Sequence, residues 1–122
     1  MKIKRITQDF SICKVTDPSQ IDFTDEFCFI GKTDEEWSLV CTTKHVPEET
    51  VERDDGWKAF RVEGKLDFSL VGVLSKISAV LADRGIGIFA ISTYNTDYIL
   101  TRTANYEKAL SALESMEYEI LA

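Results

Sequence analysis

The polar segment 92–97 carries the densest group of side chains that could do chemistry. Its sequence, Ser-Thr-Tyr-Asn-Thr-Asp, places hydroxyl, amide and carboxylate groups next to one another. Such groups can bind an ammonium or guanidinium ion, with Asp97 supplying the negative charge. The alternative is a plain hairpin turn, which Asn95 would suit. Both interpretations stay open from these residues alone.

Catalysis finds little support in the sequence. The hydroxyl groups of Ser69, Ser92 and Thr93 have no histidine or lysine in the same segment, and a nucleophilic hydroxyl needs such a base. The single histidine, His45, lies in a predicted loop, where a solvated or locally hydrogen-bonded side chain is the ordinary case. The sequence therefore predicts no enzyme, no metal and no cofactor.

The glycines of Gly85-Ile86-Gly87 resemble part of a dinucleotide-binding motif. In that motif the glycines follow a strand and open a helix, so that phosphate meets the free N–H groups of the helix. Here they follow a predicted helix and open a strand, and the third glycine is missing. We therefore interpret Gly85 as the residue that ends the helix and Gly87 as a strand glycine that allows close backbone approach.

The start of that helix is a second candidate site. Apolar residues at spacings of three and four predict a helix over 69–84, with Ser69 or Asp67 as its N-cap. The free N–H groups of its first turn, 69–72, favour a carboxylate. Gly72 would let a ligand approach closely, or it would only allow tight packing of the helix on a sheet.

Alternating patterns surround this helix. They predict strands at 57–62, 86–92, 97–102 and 118–121 and a second helix at 105–116. The order strand, helix, strand, strand, helix, strand predicts an α+β, ferredoxin-like fold, with an antiparallel four-stranded sheet and both helices on one face.

The first half of the chain is dominated by strand patterns, at 10–15, 27–33 and 37–43. Residues 33–36 fit a helical turn in which Thr33 is the N-cap and Glu36 closes a capping box. The charged segment 51–56 is predicted to be a loop.

We divide the chain into an N-terminal half, 1–56, and a C-terminal half, 57–122. About 65 residues alone make a marginal core, because small domains bury proportionally less surface. The two halves are therefore expected to pack as one compact unit.

Composition restricts the partners. The chain has 122 residues and a formal net charge of −7, which repels nucleic acid and anionic membrane surfaces. No apolar run is long enough to span a bilayer and no secretory signal is evident, so we expect a cytoplasmic protein. The cysteines are odd in number and lack CxxC spacing, which indicates buried, reduced thiols rather than metal ligands.

Segment 70–101 resembles the ACT domain, and most closely the ACT modules of aspartokinases. Their pattern is Gly-Val, a helix, Gly-Ile-Asn-Ile and then Ile-Ser-Thr. The matching residues here are Gly72-Val73, Gly85-Ile86-Gly87-Ile88 and Ile91-Ser92-Thr93. The whole layout is similar to small bacterial proteins of two tandem ACT-like units and to the cytosolic arginine sensors of eukaryotes.

This resemblance implies a ferredoxin-like βαββαβ fold in two tandem ACT-like units, the first strand-rich and truncated. ACT domains commonly pair side by side and bind amino acids at the pairing interface, which implies a homodimer here. Backbone groups of the loop and helix start would meet the ligand's α-carboxylate or α-amine, and the polar segment would form the opposite wall. The implied ligand-binding residues are Asp67, Ser69, Leu70, Val71, Gly72, Val73, Ile88, Thr93, Tyr94, Thr96 and Asp97.

One position departs from the family pattern. Many ACT modules have an aspartate three residues before the helix glycine, where this chain has Ser69. Either Asp67 or Asp97 replaces that charge, or the site has decayed. The sequence thus predicts a non-catalytic, allosteric regulatory or sensor module that binds a small molecule, by resemblance an amino acid, and acts on a regulated protein partner. The alternative is a protein–protein interaction or dimerisation module with a decayed ligand site.

Overall fold

A computed structural model of the chain describes residues 1–64 and 72–122. In chain order its strands and helices are β1 (Lys2–Val15), β2 (Cys28–Lys32), β3 (Trp37–Thr42), β4 (Glu52–Val62), α1 (Val73–Asp83), β5 (Phe89–Ser92), β6 (Asp97–Arg102), α2 (Tyr106–Ser115) and β7 (Glu119–Leu121). No helix in these two ranges is both long and apolar enough to cross a membrane.

The chain divides into two compact units. The helical unit consists of Met1–Thr7 and Lys58–Ala122, and the strand unit consists of Gln8–Trp57. Strands β1 and β4 each contribute one segment to each unit. Whether the predicted halves, 1–56 and 57–122, are two domains stays a prediction.

The helical unit has the predicted order of elements, from β4 through α1, β5, β6 and α2 to β7. Its strands are ordered β7-β1-β4-β6-β5, with β5 and β6 antiparallel and β7 parallel to β1. The predicted α+β class, with an antiparallel sheet and two helices, is confirmed. The sheet has five strands rather than the predicted four, because β1 begins at Lys2 and its first residues lie between β4 and β7.

Both helices bury their apolar stripes in the same core, as expected when they cover one face of a sheet. The buried members from the helices are Ile77, Leu81, Tyr106, Ala109, Leu110 and Leu113, and those from the strands are Ile3, Phe60, Val62 and Ile99. The predicted stripes are confirmed wherever the structure describes them, except at Met116, which follows the end of α2 and is 57% exposed.

The predicted end of α1 is confirmed and its predicted start is wrong. Gly85 has a φ of 71°, and the N–H of Ile86 donates to the carbonyl of Leu81 at 3.0 Å, as in a Schellman turn. The helix begins at Val73 rather than at residue 69, because its N-cap is Gly72 with a left-handed φ of 82°. The predicted capping residues, Asp67 and Ser69, lie outside the described residues.

The prediction that Gly87 is a strand glycine in close contact is also wrong. It precedes β5, which begins at Phe89. A Cβ built on Gly87 would meet no described atom within 4 Å.

Tyr106 ties the start of α2 to two strands of the helical unit. Its buried hydroxyl donates to the carbonyl of Ala59 at 2.6 Å and accepts from the N–H of Ile6 at 3.3 Å. The guanidinium of Arg5 lies 5.8 Å from the centre of the Tyr106 ring and donates twice to Glu107, at 2.5 and 3.0 Å. These bonds fix the first turn of α2.

Burial raises the pKa of the Tyr106 hydroxyl above its ordinary value of 10.0. Below that pH the hydroxyl is protonated in both states. Above it the unfolded tyrosine ionises first, so the unfolded state binds fewer protons and stability falls as pH rises through the folded pKa.

We expect Tyr106→Phe to lose less stability than the wild type between about pH 9 and about pH 11 in urea unfolding. An equal loss in both proteins would contradict this role.

The strand unit has the order β2-β3-β1-β4, with β3 antiparallel to both β1 and β2. Its small core contains Cys13, Val15, Ile21, Leu39 and Cys41. The prediction of buried, reduced thiols is confirmed for Cys13 and Cys41, while Cys28 is a half-buried free thiol.

Two local predictions in this unit are wrong. Residues 33–36 form the turn of the β2–β3 hairpin rather than a helical turn, although Thr33 Oγ1 accepts from the N–H groups of Glu35 and Glu36 at 3.1 and 3.2 Å, as predicted for a cap. The capping box is absent, because the N–H of Thr33 donates to the backbone carbonyl of Glu36 at 2.9 Å. The segment 51–56 is strand rather than loop from Glu52 onward. Pairing with β1 overrides its charged composition, and the N–H of Val51 already donates to the carbonyl of Lys14 at 2.7 Å.

A buried carboxylate fixes the segment between β1 and β2. The side chain of Asp25 is 2% exposed and accepts from the N–H and hydroxyl of Thr42, at 2.9 and 2.8 Å, and from the N–H of Phe27 at 3.1 Å. The Nδ1 atom of His45 lies 2.7 Å from the Thr42 hydroxyl oxygen and 3.6 Å from Asp25. The expectation that His45 is hydrogen-bonded locally is confirmed.

Candidate functional site

The polar segment forms the turn between β5 and β6. The N–H of Thr93 donates to the carbonyl of Thr96 at 2.9 Å, and the Thr93 hydroxyl donates to the same carbonyl at 3.0 Å. Ser92 faces Asp97 across the strand pair, and its hydroxyl donates to Asp97 Oδ1 at 2.6 Å. The hairpin interpretation is therefore confirmed, and binding of an ammonium group by the same residues stays a prediction.

One hydrogen bond joins this turn to the end of β4. The hydroxyl of Thr96, which is 7% exposed, donates to the carbonyl of Val62 at 2.7 Å. Val62 is the last residue of β4, and α1 is the next element that the structure describes. The side chain of Tyr94, by contrast, is 70% exposed. Thr96 is thus structural, while Tyr94 is the accessible aromatic side chain of the turn.

We expect Thr96→Val to lower the free energy of unfolding by about 1–2 kcal/mol. The substitution keeps the side-chain shape but leaves the buried carbonyl of Val62 without this donor. Urea unfolding measures the loss, and Thr96→Ser is the control because it retains a hydroxyl. A Thr96→Val protein as stable as the wild type would show that the bond does not hold the turn.

The helix-start part of the predicted site is only partly described. Asp67, Ser69, Leu70 and Val71 lie outside the described residues. Gly72 is in place before α1, and its carbonyl accepts from the N–H of Lys76 at 2.9 Å.

A Cβ built on Gly72 would meet no described atom within 4 Å. The tight-packing interpretation of this glycine stays a prediction, since residues 65–71 lie outside those that the structure describes. Its positive φ of 82° is what requires glycine. Ile88, the residue before β5, packs against the core of the helical unit. Its visible role is therefore in packing.

Val73 also lines a feature that the sequence did not predict, a cavity of about 310 Å³ in the helical unit. Lys76 of α1 lies in the same wall, and the other lining residues are Met1, Met116, Glu117 and Tyr118. Residues some 40 positions apart meet here because α1 and α2 pack side by side. Helix α2 ends at Ser115, and the left-handed residue that follows it is Glu117 rather than a glycine.

Both places present groups of the kind that bind polar ligands. The turn offers hydroxyl groups and one carboxylate, and the cavity offers an ammonium, a carboxylate and apolar walls. Within residues 1–64 and 72–122, no group of three or more His, Cys, Asp or Glu side chains is placed to hold a metal ion.

Known proteins with this fold include regulatory modules of aspartokinases. The chain is 29% identical to a protein of Agobacterium tumefaciens of known structure, with a TM-score of 0.86 over 98% of this chain and 91% of that one. The regulatory subunit of aspartate kinase from Thermus thermophilus, in ligand-free form, gives a TM-score of 0.65 at 12% identity over 94% and 96% of the two chains.

The allosteric aspartate kinase of Clostridium acetobutylicum gives a TM-score of 0.69 at 13% identity. That match covers 92% of this chain and 32% of the kinase chain, so the chain corresponds to about a third of that enzyme. A search of curated proteins found no match.

The sequence also matches the family model of the ACT domain over residues 52–115, which is more than half of the 122 residues. The matched segment runs from β4 through α2 and includes the turn at 93–96 and the start of α1. The resemblance inferred from Gly72-Val73 and Ile91-Ser92-Thr93 is thereby confirmed: the chain belongs to the ACT domain family.

Proposed function

We propose that this chain is a regulatory module that binds a small molecule, specifically an amino acid, where the β5–β6 turn meets the end of β4. The observation that carries the proposal is the bond from the Thr96 hydroxyl to the Val62 carbonyl. It holds the polar turn beside the strand that leads to α1, and the ACT resemblance implies ligand contacts on both. The fold of the aspartate kinase regulatory subunit supports the regulatory role.

Asp97 is the ligand's ammonium partner in this proposal. It is half-buried at the start of β6, and one of its oxygens, Oδ1, accepts from Ser92. A carboxylate that is oriented by a neighbouring hydroxyl is preorganised for a charge-assisted hydrogen bond. Tyr94, which is exposed, would cover the ligand's side chain.

The module acts without catalysis in this proposal. Segment 92–97 supplies no histidine or lysine, so its hydroxyl groups have no base of the kind that activates a nucleophile. The Thr93 and Thr96 hydroxyl groups donate to backbone carbonyls.

A tandem origin of the chain is part of the proposal, with the strand unit as a truncated ACT-like unit. Strand β3 and strand β6 begin 60 residues apart, and so do the 3-10 turns that follow them, Thr43–His45 and Thr103–Asn105. Thr33 and Thr93 stand at the same offset. The N–H of each donates to the carbonyl three residues later, at 2.9 Å in both turns.

The strand unit lacks the helices of its counterpart. Between β1 and β2, where the helical unit has α1 between β4 and β5, there is only the 3-10 turn Pro18–Gln20. This difference fits the proposed truncation.

The proposal has three further parts: the chain pairs as a homodimer, it is located in the cytoplasm, and it acts on a regulated protein partner. Strand β5 is at the edge of the helical unit's sheet and offers backbone groups for pairing with another strand. Light scattering should give twice the chain mass of 13.8 kDa. A monomer at all concentrations would contradict the dimer.

Thermal shift against the twenty amino acids tests the ligand. One amino acid or a small related set should raise the melting temperature, because saturation at a hundred times the dissociation constant adds about 2.7 kcal/mol. Asp97→Ala should lose this response. Asp34→Ala, in the turn of the β2–β3 hairpin, should keep it.

The second candidate, an interaction module with a decayed site, predicts a flat response to all twenty amino acids. It also predicts that Asp97→Ala keeps its oligomeric state and its protein partner. A flat response from a folded, dimeric protein would therefore favour that candidate over the sensor.

A further inference from the structure

The two helices end in the same turn but with different residues in it. After α1, Gly85 has a φ of 71°, and the following N–H donates to the Leu81 carbonyl at 3.0 Å. After α2, Glu117 also has a φ of 71°, and the N–H of Tyr118 donates to the Leu113 carbonyl at 3.1 Å. The left-handed conformation favours glycine, so Glu117 carries a strain that α1 avoids.

Glu117 is the one residue other than glycine with positive φ among those the structure describes. Strained backbone of this kind is concentrated at functional sites, where the side chain is kept for what it does. Glu117 lines the cavity of about 310 Å³ beside Val73. The position of its carboxylate is therefore a candidate reason for the strain.

The cavity presents opposite charges on two walls. Lys76 comes from the first turns of α1, and Glu117 follows α2. Neither side chain is in an ion pair with another residue of 1–64 or 72–122.

Apolar side chains make up the rest of the cavity lining. They are Met1, Val73, Met116 and Tyr118. Met1 and Met116 are 55% and 57% exposed, so a ligand in the cavity could contact them. Methionine suits a binding wall, since its flexible thioether adapts to the shape of a ligand.

We propose that this cavity is a second binding site, specific for a free amino acid with an apolar side chain. The ammonium of Lys76 pairs with the ligand's α-carboxylate, and the carboxylate of Glu117 pairs with its α-ammonium. The methionines, Val73 and Tyr118 take the apolar side chain. A volume of about 310 Å³ is at the small end of ligand pockets, which fits an amino acid and not a nucleotide.

This site differs from the one in the proposed function. Its lining includes no residue of the turn 92–97, and it shares only Val73 with the residues that the ACT resemblance implies. The two sites can therefore be tested independently in the same protein.

Calorimetric titration with leucine, methionine and phenylalanine tests the proposal. At least one of them should bind at millimolar concentration. For leucine, the analogues isocaproate, which lacks the ammonium, and isoamylamine, which lacks the carboxylate, should bind at least about tenfold more weakly. No heat of binding from any of the three amino acids would overturn the proposal.

Glu117→Gly separates binding from folding. Glycine relieves the left-handed strain, so the melting temperature should rise by about 4 °C while affinity falls at least about tenfold. Lys76→Gln should weaken binding similarly, and Lys108→Gln on the exposed face of α2 should not. Unchanged affinity in both Glu117→Gly and Lys76→Gln would overturn the proposal.

Asp97→Ala distinguishes this site from the turn. Binding in the cavity should survive Asp97→Ala, whatever happens to the response proposed for the turn. If Asp97→Ala abolishes leucine binding while Glu117→Gly and Lys76→Gln leave it intact, the ligand binds at the turn. That result would overturn the cavity site and support the proposed function.

Discussion

Asp25→Ala is expected to lower the free energy of unfolding by about 3–5 kcal/mol, because it leaves three hydrogen-bond donors without their acceptor, at about 1–3 kcal/mol for each buried one. The Asp25 carboxylate is 2% exposed and lies 3.6 Å from His45 Nδ1. Its removal leaves the N–H and hydroxyl of Thr42, and the N–H of Phe27, without their acceptor. Urea unfolding followed by circular dichroism measures the loss.

Asp22 provides the matched control. It also faces His45, at 3.8 Å, but its side chain is 41% exposed. Asp22→Ala should therefore cost less than about 1 kcal/mol. Equal losses for Asp22→Ala and Asp25→Ala would show that burial of the carboxylate is not what matters.

Asp25→Asn tests the hydrogen-bond geometry. Both oxygens of Asp25 accept, Oδ1 from Phe27 and Oδ2 from Thr42. An amide has one acceptor oxygen, so one side must present an NH₂ group to another donor. Asp25→Asn should still destabilise the chain, and wild-type stability would contradict this network.

Phe60→Ala is the second large effect, with an expected loss of about 3–5 kcal/mol. Phe60 is 0% exposed in the core of the helical unit, and its ring centre lies 6.5 Å from that of Tyr106. Truncation removes a ring from the core that both helices share and leaves a cavity there. Phe23→Ala, at a side chain 73% exposed, is the same substitution without burial and should change stability little.

The comparison is made by unfolding in urea at one pH. If Phe60→Ala costs no more than Phe23→Ala, the core of the helical unit does not depend on β4. An unchanged slope of the free energy of unfolding against urea concentration in both variants would show that the unfolded state is unaffected.

The strongly periodic parts of the fold could be predicted from the sequence. Helices α1 and α2 and the β5–β6 hairpin follow from apolar spacing and from Gly85, since these signals are local. The start of β4 could not be predicted, because its charged residues 52–56 are strand only through pairing with β1. The helix start at Gly72 was missed because apolar Leu70 extends the stripe across it.

The two candidate sites could also be predicted from the sequence only in part. The polar turn at 92–97 could be found from its composition, and its internal hydrogen bonds could not. The cavity beside Glu117 depends on the packing of α1 against α2, which no local pattern encodes. Asp25 is the clearest example. Its sequence context indicates an ordinary acidic loop residue, whereas the structure shows it buried.

We propose above that this ACT-family chain binds an amino acid. Native mass spectrometry, after incubation with each of the twenty amino acids, tests it most directly, because it counts bound molecules without assuming an effect on stability. We predict that at least one amino acid adds its mass to each chain, and that the complex formed at the turn is lost in Asp97→Ala. A folded chain that carries no amino acid at millimolar concentrations of any of the twenty would contradict the claim.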